Sequence, residues 1–511
     1  MTSLSLPSQL LSTLLARAEI LDLENLSDLS EISVRELAAH SAEVKPGSIF
    51  FALPGSAGHG RTFIDDALVR GATVVVHDGD APLGRTDGVP SIRVVNARAA
   101  LRDASAAFYG TPSSASWNCA VTGTNGKSSV SWLIAQATAL LGSRAAYVGT
   151  LGMFLFDHKL ESVLSEENGQ TTPSELQLQR FLVRSQRLGM SALACELTSH
   201  ALAQERVTGI EWDCGVFTNL TRDHLDYHGT MEEYGDAKRR LFRTLLPMSS
   251  RRSRSAIINT DDPFGEVIRE DSRTSGLEVL TTSTRGGRAD VELVDAIASP
   301  LSTRLTLRVR GDTLSVHTQL IGDYNRENVL LAIGAMLAKG ATLADIASIV
   351  PELQPVPGRL ERVTGAGRSV FVDYAHTPDA LVKAQQSLRS LSQGRLITVF
   401  GCGGDRDRGK RPLMGSAVAA HADLAVVTSD NPRSEDPMSI IHDVLPGLAP
   451  DTAFHVEPDR RAAIEYALRI AAEGDLILIA GKGHEPYQEV NGTRLPFSDR
   501  EVCLELLNHL E

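Results

Sequence analysis

The chain is short of several things, and each shortage removes a class of protein. Its 511 residues hold five cysteines (Cys119, Cys195, Cys214, Cys402 and Cys503), odd in number, scattered and without a CxxC pair. Neither a disulfide framework nor a cysteine-based zinc site is expected, and a reducing cytoplasm fits. No apolar run approaches the roughly 18 residues needed to span a bilayer, so no membrane segment is expected. The first residues lack a basic stretch followed by an apolar core, so no signal peptide is expected; Leu10, Leu11, Leu14 and Leu15 read instead as an amphipathic helix. Positive charge is also in deficit. Lys and Arg number 50 against 63 Asp and Glu, giving a net charge of −13. That argues against nucleic acid or an anionic membrane as the main partner. A local basic cluster such as Arg406 to Arg411 could still hold an anionic substrate.

What remains is an ordinary α/β composition, 42% apolar with 42 glycines. The length exceeds what one core supports, and about three domains is the expectation.

The most informative stretch is Ala120-Val121-Thr122-Gly123-Thr124-Asn125-Gly126-Lys127-Ser128-Ser129. Trp117 to Val121 reads as a buried strand, and Val130, Trp132, Leu133, Ile134, Ala137, Leu140 and Leu141 recur at helical spacing. Glycines between a strand and a helix let several N–H groups face one anion, and the helix N-terminus adds partial positive charge. Lys127 would then reach outer phosphates, and Ser128 would face Mg²⁺. The spacing departs from GxxxxGK[ST], since Gly123 precedes Gly126-Lys127 by three residues.

Before this loop, residues 1–112 form a first unit, with Val44 to Gly55 as a turn, a strand and another turn, a helix Phe63 to Arg70 and a strand Ala72 to His77. The polar loop Gly58 to Thr62 reads as a connector. Residues 113–351 form a second unit. Tyr147 to Leu151 is an expected strand. Pro173, after Gln170-Thr171-Thr172, is placed to start the helix Glu175 to Ser185. Ser191 to Leu197 is a buried strand carrying Glu196, a costly carboxylate unless paired or bound to a cation. The strand Cys214 to Asn219 runs into Asp223, His224, Asp226 and His228. For His224, metal ligation and a satisfied loop histidine both stay open. In the helix Met231 to Leu245, Lys238 taken alone reads as a solvated surface lysine. Asp290 to Leu320 alternates as an antiparallel excursion. Asn325 and Asn328 share one face of a helix, with capping the plain role for Asn325.

After prolines 351, 355 and 357 comes a third unit, 352–511, with strands Val370 to Asp373, Leu396 to Phe400, Ala422 to Thr428 and Asp475 to Ala480 alternating with helical patterns. This is the signature of a parallel sheet. Each strand ends in a polar or glycine-rich loop, where such sheets bind ligands. Arg406 and Arg433 are forked donors for carboxylates, while Asp430 and Glu485 accept from ammonium groups. Together they describe a pocket for a zwitterion.

The strings TGTNGKSS, TTP, ELTSHAL, FTNLTRDHLDYHGTMEEYGDAKRRLF, PGRLE, DYAHTP, FGCGGDRDRGKRP, DNPR and GKGHE, in this order, resemble the Mur ligase family over nearly the whole chain. The resemblance implies an α/β protein of three domains: an N-terminal UDP-binding domain, a central P-loop ATPase-like domain with a parallel sheet, and a C-terminal Rossmann-like domain. It implies a cytoplasmic, monomeric enzyme of peptidoglycan synthesis with ATP as co-substrate and Mg²⁺ as cofactor. ATP would phosphorylate the D-Glu γ-carboxylate of UDP-MurNAc-L-Ala-D-Glu, and an amine would attack the acyl phosphate. By position, Gly123, Thr124, Asn125, Gly126, Lys127, Ser128 and Ser129 would hold the ATP phosphates. Asn325 and Asn328 would bracket adenine, with Asp373 on the ribose and Arg359 on a phosphate. Ser128, Glu196, His224 and Lys238, the last as a carbamate, would serve the metal; Lys127, Glu196, His224 and Lys238 would be the catalytic set. Ser41, Thr171, Thr172, Thr198, Gln204 and Arg206 would hold the nucleotide-sugar dipeptide, and the Gly58 to Thr62 loop becomes a uridine diphosphate contact. Arg406, Asp430, Asn431, Pro432, Arg433, Gly481 and Glu485 would hold the amino acid. DNPR resembles the meso-diaminopimelate-adding form; Arg433 can pair the distal carboxylate, which lysine lacks. A lysine-adding ligase and a non-catalytic nucleotide-binding protein are the alternatives. Three departures stand out: His40-Ser41-Ala42 where members carry Asp-Ser-Arg, Thr198 for serine, and Ser128 for threonine.

Overall fold

The β-branched and aliphatic strings form sheets covered on both faces, which only buried, largely parallel strands require. The computed structural model describes residues 7–26, 28–55, 58–80, 88–299 and 301–510. Its chain divides into two units, residues 1–281 with 334–341, and residues 282–333 with 342–511.

Besides a pair of two-residue strands, the first unit holds two sheets. The smaller runs in the order Ile20–Glu24, Ser91–Val94, Ala72–His77, Ser48–Ala52, Glu36–Ala38. Only Ile20–Glu24 is antiparallel to its neighbour. Alternation decides the faces: Ile49, Phe51, Val74 and Val76 pack towards helix Ala97–Tyr109, while Phe50, Ala52 and Val75 pack against Ile64 and Ala67. The expected leucine helix shrinks to one turn, Leu11–Leu14. Leu10 is drawn into a two-residue strand that pairs with Ser33–Val34. Leu11, Leu14 and Leu15 are nonetheless buried.

The larger sheet of this unit runs Ser162–Glu166, Gly152–Phe156, Arg144–Gly149, Met190–Glu196, Trp117–Thr122, Cys214–Phe217, Ser255–Asn259, Glu278–Ser283. From Arg144–Gly149 to Ser255–Asn259 all neighbours are parallel. Their C-terminal ends therefore lie at one edge, where Gly123, Thr150, Leu197 and Thr218 begin the loops. Helix Glu175–Arg187 starts differently from expectation. Ser174, not Pro173, opens it, with a reciprocal capping box: Ser174 Oγ accepts from Gln177 N at 3.4 Å and Gln177 Oε1 accepts from Ser174 N at 3.3 Å.

In the second unit, Val291–Ala298, Thr303–Val309 and Asp312–Thr318 form the expected antiparallel excursion. Its main sheet runs Glu361–Gly365, Arg368–Asp373, Leu476–Ala480, Leu396–Phe400, Leu424–Val427, Phe454–Val456. All pairs but the first are parallel. The four expected strands are there; of the two outer ones, Glu361–Gly365 is mostly polar and Phe454–Val456 is only three residues long, so neither gave an apolar run. Parallel order brings the loops after Asp373, Phe400, Val427 and Ala480 to one edge. Among the described residues, no helix is long and apolar enough to cross a membrane.

His77 closes strand Ala72–His77 with no exposed surface. Its Nδ1 accepts the Gly79 N–H at 3.3 Å, and Nε2 has no hydrogen-bond partner among the described residues. Burial, reinforced by the charge of Arg61, pushes its pKa down from 6.5 to about 4. The unfolded chain thus takes the proton first, so stability present above pH 6.5 drains away as the pH falls towards 4. His77→Leu should flatten that limb by about 1–2 kcal/mol in denaturant titrations run across this window; an unchanged slope would contradict the assignment.

Candidate active site

The loop after Trp117–Thr122 is stitched to the segment after Cys214–Phe217. Thr124 N donates to Asn219 O at 2.9 Å, Asn125 N to Asn219 Oδ1 at 2.9 Å, and Thr218 Oγ1 to Asn125 O at 2.6 Å. Gly123 sits at φ 151° so close to Thr218 that a Cβ would lie 1.9 Å from its Oγ1. No other residue fits there. Helix Lys127–Leu140 then points its N-terminus out of this loop. Lys127 Nζ folds back onto the carbonyls of Gly123 (3.0 Å) and Thr124 (2.8 Å).

A second lysine arrives at the same carbonyl. Lys238 Nζ donates to Gly123 O at 2.7 Å and lies 4.3 Å from the Tyr234 ring centroid. Lys238 is 1% exposed, so the reading of it as a solvated surface residue is corrected. The residues that bury it are distant in sequence, and its own helix, Met231–Arg240, is densely charged. Burial, with repulsion from Lys127, holds its pKa well below the usual lysine range. Burial lowers Lys127 in the same way, partly offset by Glu196 and Asp223.

Glu196 has no exposed surface. Its Oε1 accepts from Tyr147 Oη (2.5 Å) and Thr150 N (2.9 Å); its Oε2 accepts from Ser128 Oγ (2.9 Å) and Thr150 Oγ1 (3.2 Å). Tyr147 and Thr150 were not anticipated; Tyr147 reads as a core aromatic until its hydroxyl is placed. His224, in a left-handed backbone conformation, begins helix Leu225–His228. Its ring stands 4.9 Å from His200 and 6.1 Å from Tyr234, centroid to centroid, with Asp223 Oδ2 3.5 Å from Nε2. Among the described residues no three His, Cys, Asp or Glu side chains converge as a metal cluster. Ser128 Oγ and Glu196 Oε2 meet at 2.9 Å, and no hydrogen bond among the described residues joins His224 to either.

The threonines gather behind Glu196. Thr172 Oγ1 donates to Glu196 O (2.8 Å) and accepts from Thr198 N (3.1 Å); Thr171 Oγ1 lies 3.2 Å from Thr150 Oγ1. Thr198 also caps helix Ser199–Ala203. Arg206 binds Thr172 O at 3.0 Å, Gln204 Oε1 at 2.6 and 2.9 Å, and the Gln170 side chain. Ser41 is not joined to this group by any hydrogen bond among the described residues; it is buried at the start of the turn Ser41–Glu43, where its hydroxyl helps to lower the pKa of Asp66.

In the second unit, Asn325 and Asn328 are buried within helix Asp323–Lys339. Asn328 Nδ2 donates to Asn325 Oδ1 (3.1 Å) and Asn325 Nδ2 to Ile321 O (2.8 Å), so Asn325 folds its side chain along the turn rather than acting as a plain cap. Asp373 accepts from Leu360 N (2.7 Å) and Ala375 N (2.8 Å); Arg359 stacks 5.1 Å from the Tyr374 ring. At the sheet edge a cavity of about 430 Å³ is lined by Arg406, Asp430, Asn431, Arg433, Gly481 and Glu485, as expected, together with Tyr374, His376 and Tyr487. Pro432 is not on its wall. Arg433 Nη1 donates to Gly404 O (2.7 Å), and Glu489 Oε2 lies 3.5 Å from its Nε. Asp430 is buried, which raises its pKa, while Arg460 and Lys482 oppose the rise.

Three family profiles match: "Mur ligase family, catalytic domain" over residues 33–109, "Mur ligase middle domain" over 121–336, and "Mur ligase, glutamate ligase domain" over 358–483. A protein of Xanthomonas oryzae pv. oryzae is 44% identical over 483 residues, 93% of this chain and 94% of its own. One of Chromobacterium violaceum is 42% identical over 481 residues, again 93% and 94%. Both are named UDP-N-acetylmuramoyl-L-alanyl-D-glutamate–2,6-diaminopimelate ligase. A solved structure titled with the same enzyme name is 34% identical, covers 94% of this chain and 96% of its own, and superposes with a TM-score of 0.71.

Gly149 gives the site a stringent test. A Cβ there would lie 1.9 Å from Glu196 Oε1 and 2.4 Å from Tyr147 Oη. Gly149→Ala should cost about 1–3 kcal/mol of stability. Gly169→Ala, with nothing within 4 Å, should be neutral. Equal melting temperatures for both variants would refute the packing around Glu196.

Proposed function

The chain belongs to the Mur ligase family, and from that premise we propose that it is the ATP-dependent ligase that joins meso-diaminopimelate to UDP-MurNAc-L-Ala-D-Glu in peptidoglycan precursor synthesis. The observation that carries the choice of amino acid is the cavity that Arg433 and Glu485 both line. One is a forked donor for a carboxylate, the other an acceptor for an ammonium, and the distal end of diaminopimelate presents both groups. Lysine would offer the half-buried Arg433 no carboxylate, leaving it only Gly404 O and Glu489.

The chemistry follows from charge and position. The γ-phosphoryl group of ATP passes to the D-Glu γ-carboxylate, giving an acyl phosphate and ADP. The free amine of the amino acid attacks the acyl carbon, the C–O bond to phosphate breaks, and an amide, inorganic phosphate and a proton result. Lys127 and the N–H groups of Gly123 and of Gly126 to Ser129 would hold the outer phosphates at the helix N-terminus, while those of Thr124 and Asn125 are bound to Asn219. Asn325, Asn328, Asp373 and Arg359 would take the nucleoside end of ATP, and Thr171, Thr172, Thr198, Gln204, Arg206 and Ser41 the nucleotide-sugar dipeptide. The hydroxyl and carboxylate oxygens of Ser128 and Glu196 suit Mg²⁺, with His224 and a carbamylated Lys238 completing the set. Bound there, Mg²⁺ supplies neutralisation of phosphate charge during transfer. Lys238 supports the carbamate reading because burial and the neighbouring Lys127 favour its neutral amine, the nucleophile that carbon dioxide requires: the nitrogen bonds to carbon and releases a proton, leaving an anion. The working domains run 1–112, 113–351 and 352–511, and the enzyme acts as a cytoplasmic monomer.

Phosphate release should appear with ATP, Mg²⁺, UDP-MurNAc-L-Ala-D-Glu and meso-diaminopimelate, and not with L-lysine in its place. Arg433→Ala should raise the KM for diaminopimelate at least about tenfold, with the KM for ATP little changed. Release with lysine alone would keep the family and overturn the reading of Arg433. Lys238→Ala should lose turnover by about a hundredfold or more and regain part of it with added short-chain carboxylate; full activity without rescue would remove the carbamate.

A further inference from the structure

The motif Gly481-Lys482-Gly483-His484-Glu485 reaches the amino-acid cavity through Gly481 and Glu485. The lysine between them is not on the cavity wall and has no exposed surface. Its ammonium is spent inward. Lys482 Nζ donates to Asn431 Oδ1 at 3.1 Å and to Glu485 Oε2 at 3.2 Å. Asn431 Nδ2 donates to the same Oε2 at 2.9 Å, and Asn431 Oδ1 also accepts from Glu489 N at 2.9 Å. The turn is closed by Glu485 N on Lys482 O at 3.0 Å. Two donors therefore grip one oxygen of Glu485 from behind, and its rotation is fixed.

A fully buried ammonium is costly unless a counter-charge and hydrogen bonds compensate it. An apolar residue in that place would fill the volume at lower cost. A charge kept there is explained if it does something for the carboxylate it grips. We propose that Lys482 is a positioning residue for amino-acid selection: it holds Glu485 as the receptor for the distal ammonium of the diamino-dicarboxylic acid. This rests on the ligase reading above. Arg433 would read the distal carboxylate, and Lys482, acting through Glu485, would make the enzyme require the distal amine as well.

The test compares meso-diaminopimelate with L-2-aminopimelate, which keeps both carboxylates and lacks the distal amine, in the phosphate-release assay with ATP and UDP-MurNAc-L-Ala-D-Glu. Lys482→Met, similar in volume and uncharged, should lower the ratio of kcat/KM for diaminopimelate over 2-aminopimelate by about tenfold or more. The KM for ATP should stay within about twofold. Lys482→Gln, which keeps a donor in the buried site, is the second variant and should lose the same discrimination even if Lys482→Met folds poorly. Glu485→Gln should lose it too, and Lys482→Met added to Glu485→Gln should change the ratio little further, because both act on one contact. Parallel losses for both amino acids, an unchanged ratio, or losses that multiply in the double variant would each overturn the role of Lys482. Absence of diaminopimelate-dependent release in the wild-type protein would overturn the activity itself.

Discussion

A carboxylate with no exposed surface closes the strand Met190–Glu196, and the loops around it take their form from satisfying it. An unpaired buried carboxylate would not stay ionised. Glu196 meets this constraint with donors from three places: Ser128 at the start of a helix, Thr150 through both backbone and hydroxyl, and Tyr147 from the neighbouring strand. Each donor imposes a further condition. Tyr147 must present its hydroxyl across the strand end, so its ring is wedged edge-on against Trp132 at 5.1 Å. Residue 149 can carry no side chain. The backbone carbonyl of Glu196 in turn fixes Thr172, which fixes Thr198. One charge thus orders the beginning of a helix, a strand end and two turns.

The second constraint is an excess of positive charge. Two lysines converge on the carbonyl of Gly123, at 3.0 and 2.7 Å, beside a helix N-terminus. Burial and proximity disfavour a charge on both at once, and Glu196 and Asp223 offset this only in part. A polyanion entering this loop would relieve the repulsion, which is the electrostatic form of a phosphate site. Converting Lys238 to an anion would relieve it as well, and would change the local balance from anion-seeking to cation-seeking. On the proposed reading, the same atoms would serve phosphate or metal according to the state of one nitrogen.

What the sequence disclosed follows the range of the interactions involved. The phosphate loop was legible because glycine, lysine and serine occur together between a strand and a helix, all within ten residues. The inner strands of the six-stranded sheet were legible as apolar runs bounded by polar loops. The burial of Lys238 was not, because it depends on a loop more than a hundred residues away, and its helix carries mostly charged neighbours. Tyr147 was hidden for the same reason: a core aromatic and a carboxylate partner have the same one-letter code. The start at Ser174 was a local contest between proline and a capping box, and the two reciprocal hydrogen bonds decided it. The resemblance supplied roles that spacing alone left open, as at His224.

The amino-acid cavity shows how strain can be placed to aim a side chain. Arg433 has a left-handed backbone, φ 51°, which a non-glycine residue adopts only when its surroundings enforce it. The enforcement is visible: Arg433 N donates to Glu489 O at 3.0 Å, and Asn491 N donates to Arg433 O at 2.7 Å, so the strand Tyr487–Val490 and the turn after it clamp the residue on both sides. The guanidinium is then held at Nη1 by Gly404 O and flanked at Nε by Glu489. An arginine on a free loop would lose side-chain entropy on every binding event, and that loss would be charged equally against lysine and diaminopimelate. An arginine already fixed has lost it on folding, so the carboxylate it meets decides the difference between the two. On the proposed reading of Arg433, the selectivity of this pocket would reside in the clamp as much as in the arginine it presents.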